Sequence, residues 1–217
     1  MKSKALILLT SVLLFSSCIV KSLQPFYNTE DLSYNEKLIG TWTDQKNDTW
    51  SVTSVKEEFA KGLKEGEKLS EDEKESFETY KDGYIINYTK KNKEVLFIAM
   101  PFKIEGQYFL DFIPYDFDSE SINDLASQHL LKTHSVAKIE LDDTNNISFL
   151  WLTEEHIKNL FKADKLRLKH EIVGPDEVLL LTASSKELSA FLKKYNASSI
   201  KDKWKSSDIL KLTKKAI

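Results

Sequence analysis

Residues 84–88 read YIINY, residues 94–104 read EVLFIAMPFKI and residues 107–114 read QYFLDFIP. The three runs are rich in β-branched and aromatic residues, as strands are. Only the five residues TKKNK (89–93) and Glu105-Gly106 separate them. Gly106 supplies the positive φ that a tight connection demands, and Pro101 marks a bulge or an edge. The spacing therefore predicts an antiparallel meander. Its register puts Tyr108, Leu110 and Phe112 on one face, and Phe109, Asp111 and Ile113 on the other. Asp111 is the odd residue, a carboxylate in an otherwise apolar strand.

Outward from this meander the patterning alternates between periods. Residues 38–43 (LIGTWT) open the ordered domain, and 50–55 (WSVTSV) read as another strand. Residues 56–82 carry ten acids and six lysines, an excess that reads as a solvated insertion with helical character. Ile122, Leu125, Ala126 and His129 predict an amphipathic helix over 121–131. Strands follow at 134–141 and 146–152. Thr153 stands as the N-cap of a short helix with Glu154 and Glu155 in its first turn. Residues 167–173 and 177–182 flank Gly174-Pro175-Asp176 as a hairpin-like pair. Ser184-Ser185-Lys186-Glu187 has capping-box spacing before a helix carrying Leu188, Phe191, Leu192 and Tyr195. Residues 207–215 are expected to form a last short helix. The sum is about seven or eight strands with roughly three or four helices, an α+β class built on an antiparallel meander sheet or partly open barrel.

The first residues have a different character. Met1-Lys2-Ser3-Lys4 is a basic head, residues 5–15 are apolar apart from Thr10 and Ser11, and Ser16-Ser17 precede Cys18. That is the layout of a signal peptide, too short for a membrane span of about 20 apolar residues. The expected organisation is a signal peptide over 1–17, Cys18 with a tether over 18–36, and a single globular domain over 37–217. Cys18 is the only cysteine.

Without Lys2 and Lys4 the chain keeps 29 basic against 34 acidic side chains, and Arg167 is its one arginine. An acidic chain with one guanidinium fork is a poor match to nucleic acid. The basic stretch 201–217 reads as solvated surface, with anionic head groups as the sharper alternative. There is no G-x-S-x-G, no phosphate-binding glycine loop and no H-E-x-x-H. With six glycines in all, little material exists for such a cradle. No catalytic residue and no cofactor is assigned. His129 and His134 lie about 140° apart on a helix, so they meet only at a helix–strand corner, there with Asp111 as a third metal ligand. The competing reading makes these histidines structural. The aromatics, 11% of the chain, serve either as core or as the lining of an apolar pocket.

Two resemblances follow from these residues. Leu14-Phe15-Ser16-Ser17-Cys18 resembles the lipobox of bacterial lipoproteins, with Phe15 where Leu is commoner. It implies cleavage before Cys18 and acylation of that residue, a covalent lipid such as palmitate in place of a cofactor. The order Cys18, Ser22–Tyr27, Gly40-Thr41-Trp42, Trp50, Phe109-Leu110-Asp111 and Leu181–Ser184 is similar to a group of uncharacterised lipoproteins of Gram-negative bacteria. Ile19-Val20-Lys21-Ser22 has no acidic residue, so the resemblance implies a domain facing the periplasm, on the outer membrane. Gly40-Thr41-Trp42 also resembles the G-x-W signature of lipocalins, which implies a tryptophan closing one end of an eight-stranded barrel around a hydrophobic ligand; Trp42 and Trp50 are the candidate ligand-binding residues. Three functions remain open: a non-enzymatic module that binds an envelope protein or other envelope component, a carrier of an apolar molecule, and a metal-dependent hydrolase using His129, His134 and Asp111.

Overall fold

The structure, a computed structural model, describes residues 19–62, 69–117, 130–142, 146–204 and 209–215. Eight antiparallel strands close into a barrel in the order β11-β2-β3-β4-β5-β6-β7-β8. They are β2 (Gly40–Asp44), β3 (Thr49–Ser54), β4 (Tyr84–Lys90), β5 (Lys93–Ile104), β6 (Gln107–Phe117), β7 (Ser135–Leu141), β8 (Ile147–Trp151) and β11 (Leu210–Lys214). From β2 to β8 each strand pairs with the next in sequence, and β11 closes the ring against β8 and β2. This is the up-and-down barrel, an architecture that lipocalins use. Closure leaves no edge strand to seek another chain.

The central meander is present as the sequence predicts. Lys91 and Asn92 turn β4 into β5 with φ of 48° and 62°, the signature of the hairpin turn whose twist suits the flanking strands. β5 meets β6 through Glu105 and Gly106, both at positive φ. Tyr108, Leu110 and Phe112 face the barrel interior. Phe109 and Asp111 face outward and are nevertheless buried, because a second layer covers this wall.

Two apolar cores result. Inside the barrel, Trp42, Val52, Tyr84, Ile86, Leu110, Ile139, Ile147 and Leu212 pack together. Outside it, Phe102, Phe109, Val136, Leu150 and Leu152 pack against helix α4 (Ser185–Ala197), helix α3 (Glu154–Lys162) and a small sheet. That sheet is β1 (Lys21–Ser22), β10 (Val178–Leu181) and β9 (His170–Val173), with β1 parallel to β10. The Ser184–Glu187 capping box forms as expected, with Ser184 Oγ accepting from Glu187 N–H. Leu188, Phe191, Leu192 and Tyr195 are buried below it. The acidic insertion forms α1 (Val55–Gly62) and α2 (Glu71–Tyr80), joined by stacked Phe59 and Phe77 rings 4.4 Å apart.

Two expectations change. Residues 19–36 are not a tether. Val20 and Phe26 are completely buried, Val20 N–H donates to Leu152 O, and Ser22 and His134 exchange backbone hydrogen bonds. The segment is a strap that runs down the outside of the barrel from the end of β8 to the start of β2, so the folded domain begins by residue 19. Within residues 207–215, Leu210–Lys214 is strand β11 rather than helix. Leu210 and Leu212 alternate with Lys211 and Thr213, a period of two that fills the last gap in the wall. The sheet is also fully closed. The helix expected over 121–131 falls mostly outside the described residues, and Leu130 and Leu131 carry no regular structure.

Candidate functional site

The barrel has two ends. At one, Gly40 opens β2 at φ +132° and Trp42 follows. Trp42 is completely buried, its Nε1–H donates to Leu38 O at 2.9 Å, and Lys214 Nζ lies 5.1 Å above its ring. Trp42 packs there with Val52, Tyr84 and Leu212 in the barrel core. It is therefore part of the packing and does not line the cup at the other end.

The other end is a cup of about 480 Å³, within the range of small-molecule sites. Its wall is Trp50, Tyr88, Phe97, Phe112 and Trp151, with Leu210 and Ser135 between them. Register puts these side chains there. Trp42 pairs with Trp50, Trp50 with Tyr88, Phe112 with Ser135 and Ala137 with Trp151, so aromatics at period two in five strands converge on one mouth. Trp50 and Tyr88 lie 4.4 Å apart, and Phe112 and Trp151 4.9 Å apart. Phe149, buried in the barrel core, meets Trp50 edge-on at 6.1 Å.

The rim fixes these rings. The β2–β3 turn folds over Asp44, whose Oδ1 accepts from Lys46 N–H and Asp48 N–H at 2.8 and 3.0 Å. Its Oδ2 accepts from Trp50 Nε1–H at 3.3 Å. Tyr88 O–H donates to Asp48 Oδ2 at 3.0 Å. Burial, with the Asp48 carboxylate beside it, pushes the Tyr88 hydroxyl up to about 12. It therefore stays a neutral donor through the physiological range. With both polar handles engaged at the rim, the ring faces remain for an apolar ligand.

The sequence singled out Trp50, which lies in the cup. It missed Tyr88, Phe97, Phe112 and Trp151. Their signal was alternation combined with cross-strand register, since each occupies an inward site that pairing brings to the same mouth.

Asp111 and His134 do meet. His134 Nδ1 and Asp111 Oδ1 share a hydrogen bond of 2.6 Å. The other carboxylate oxygen accepts from Phe26 N–H at 2.9 Å. Asp111 is 1% exposed and its carboxyl is pushed above the ordinary range by burial, against the opposing pull of His134 and the Phe26 N–H. Both oxygens are thus committed to holding the strap against β6 and β7, which accounts for a carboxylate in an apolar strand. His129 lies outside the described residues. Among those described, no group of three histidine, cysteine or acidic side chains is placed to hold a metal ion. His156 Nδ1 bonds Lys203 O, and His170 Nδ1 bonds Leu168 O while its ring stacks on Phe161 at 3.9 Å. Both are satisfied within the packing.

Further concavities lie elsewhere on the molecule. A groove of about 680 Å³ runs along α4 beside residues 164–168, flanked by Lys165, Arg167, Glu187 and Lys194, which favours water. A cleft of about 380 Å³ under α1 and α2 borders residues 63–68, outside the described set. Comparison with known proteins yields no matching family model, curated protein or solved structure.

Proposed function

We propose that this is a lipid-anchored binding protein of the bacterial envelope, held to the membrane through acylated Cys18, whose barrel takes an apolar small molecule in the cup at its mouth. One observation carries the binding half of this reading: five aromatic side chains from five strands line a concavity of about 480 Å³, and two of them are pinned by carboxylates at the rim. An aromatic wall with few polar groups selects for apolar surface and shape rather than for a particular hydrogen-bond pattern. The anchoring half rests on the basic head, the apolar run and the Ser-Ser-Cys ending. Of the functions the sequence left open, the carrier moves ahead of the partner-binding module because of this cup. The hydrolase falls behind because Asp111 and His134 are occupied in holding the strap.

The test is a titration of the full chain with cis-parinaric acid, a fluorescent fatty acid, excited through tryptophan. Trp50 and Trp151 line the cup, so energy transfer that saturates at one probe per chain supports the carrier. Transfer that does not saturate, or that persists unchanged in Trp151→Ala, overturns it. The mass of the mature chain reads the anchor independently.

A further inference from the structure

The mouth of the barrel gathers four features, three of which the binding argument did not use. First, Ile19 lines the cup and forms a bridge with Thr153 just beyond β8. Residue 18 is one peptide step, about 3.8 Å, from it. Because residues 19–26 are bound to the barrel wall, no slack exists to lift the domain away from an anchor at Cys18. Second, the β4–β5 hairpin at this end carries Lys90, Lys91 and Lys93, all exposed, and Lys46 is exposed in the neighbouring turn. Third, Leu130 and Leu131, which lead into β7 at the same end, are 52% and 65% exposed, and Tyr115 near the end of β6 is 53% exposed. Lys132 Nζ joins the two segments by donating to Tyr115 O at 2.6 Å. Fourth, the cup itself opens here. The mouth hairpin also carries the exposed Glu94, and the far end mixes both signs, with Glu105, Glu140 and Asp142 alongside Lys37, Lys103, Lys214 and Lys215. The clearer difference is thus the cluster of exposed Leu130, Leu131 and Tyr115 at the mouth.

Exposed leucines and a tyrosine ringed by lysines match the layering of a bilayer surface, apolar chains below and anionic head groups above. We infer that the barrel stands mouth-down on the membrane, with Leu130, Leu131 and Tyr115 dipping into the interface, so that the cup opens directly onto bilayer lipid. The occupant of this surface is a lipid bilayer and not a protein partner. The cup then exchanges its ligand with the acyl region rather than with the aqueous phase. The inference rests on the reading of Cys18 as the anchor and of the cup as an apolar site.

Lipidation consumes the only thiol of the chain, so single cysteines can be introduced and labelled without background. The lipidated protein, carrying Leu131→Cys or Lys93→Cys at the mouth, or Lys37→Cys or Leu141→Cys at the far end, is labelled with a nitrobenzoxadiazole fluorophore. It is then reconstituted into vesicles of phosphatidylglycerol and phosphatidylcholine with brominated chains. The inference expects the labels at 131 and 93 to lose fluorescence to the bromines and to be shielded from aqueous iodide. Those at 37 and 141 should respond only to iodide. Equal responses at both ends, or quenching confined to the far end, overturn it. Lys93 is an exposed surface position, so its variant keeps the test sound if Leu131→Cys folds poorly. Saturable cis-parinaric acid binding on the same preparation separates the two readings. Binding with no bromine quenching at the mouth rejects the orientation alone, whereas mouth quenching without binding rejects the carrier alone.

Discussion

His134 Nδ1 and Asp111 Oδ1 lie 2.6 Å apart, and through them the first described residues are fastened to the middle of the barrel. Asp111 sits on β6, His134 just before β7, and the second Asp111 oxygen holds the Phe26 amide. His134 also exchanges both backbone hydrogen bonds with Ser22. One carboxylate therefore organises a segment some eighty-five positions away in sequence, and it does so without solvent.

Asp111→Ala leaves the Phe26 amide and the imidazole without their buried acceptor, and should cost about 1–3 kcal/mol by urea unfolding. Asp111→Asn keeps an acceptor for Phe26 and should cost less. The two differ in pH response from the native chain. Burial raises the Asp111 carboxyl above its ordinary value, so the folded chain binds that proton more tightly than the unfolded chain does. The resulting stabilisation is complete below about pH 4 and is lost as pH rises through the folded-state value. The stability of the native chain relative to Asp111→Asn should therefore fall as the pH rises above about 4. A difference that rises with pH would contradict this account.

If residues 19–36 were a tether, substitutions there would leave stability unchanged. Phe26 is instead completely buried beside Phe102 and Leu188 in the outer core. Phe26→Ala should cost about 3–5 kcal/mol, read as a shift of the urea midpoint at constant slope. A loss near zero would restore the tether.

Gly40 stands where the strap passes into the barrel, at φ +132°, a conformation open to glycine and costly for any L side chain. An added Cβ would also come within 3.0 Å of Lys214 Cε, although the end of a lysine can move aside. The backbone is the larger penalty. Gly40→Ala should destabilise by more than about 1 kcal/mol, seen as a lower melting temperature with the barrel's circular dichroism intact below it.

The meander at 84–114 was legible because strand alternation, a Glu-Gly turn and aromatic content all agreed, and so was the α4 capping box at Ser184 and Glu187. The strap was not. Its buried residues, Val20, Ser22 and Phe26, are spaced irregularly around Pro25, since it crosses the wall and pairs only briefly with β10. Period-based reading has no purchase on such a segment. β11 was obscured by its lysines, whose charge suggested a solvated helix while Leu210 and Leu212 carried the strand period. For the site, Trp50 was reached through a resemblance, whereas Trp42 beside it in the ladder proved to be packing. The two are cross-strand partners; the difference lies in what each ring packs against, Leu38 O for the Trp42 indole and the Asp44 rim for that of Trp50. Neither environment is written in one strand; both emerge when eight strands share a common register.

Trp151 and Trp42 offer the sharpest contrast between binding and stability. Both point into the barrel, yet Trp151 is partly exposed at the mouth and Trp42 is completely buried. Trp42→Ala empties a volume that the surrounding Val52, Tyr84 and Leu212 cannot fill, and should cost about 3–5 kcal/mol of stability. Trp151→Ala removes a wall of the cup. Its neighbour Phe112 stays in place against Phe149, so the barrel should lose far less. An apolar ligand, however, loses the burial that one large side chain supplies, about 1.5–3 kcal/mol, which weakens binding of cis-parinaric acid roughly tenfold or more. The informative measurement is both quantities on both variants. Binding lost with stability kept in Trp151→Ala, and stability lost in Trp42→Ala, places the ligand in the cup. Unchanged affinity in Trp151→Ala would mean that the aromatic mouth serves packing alone.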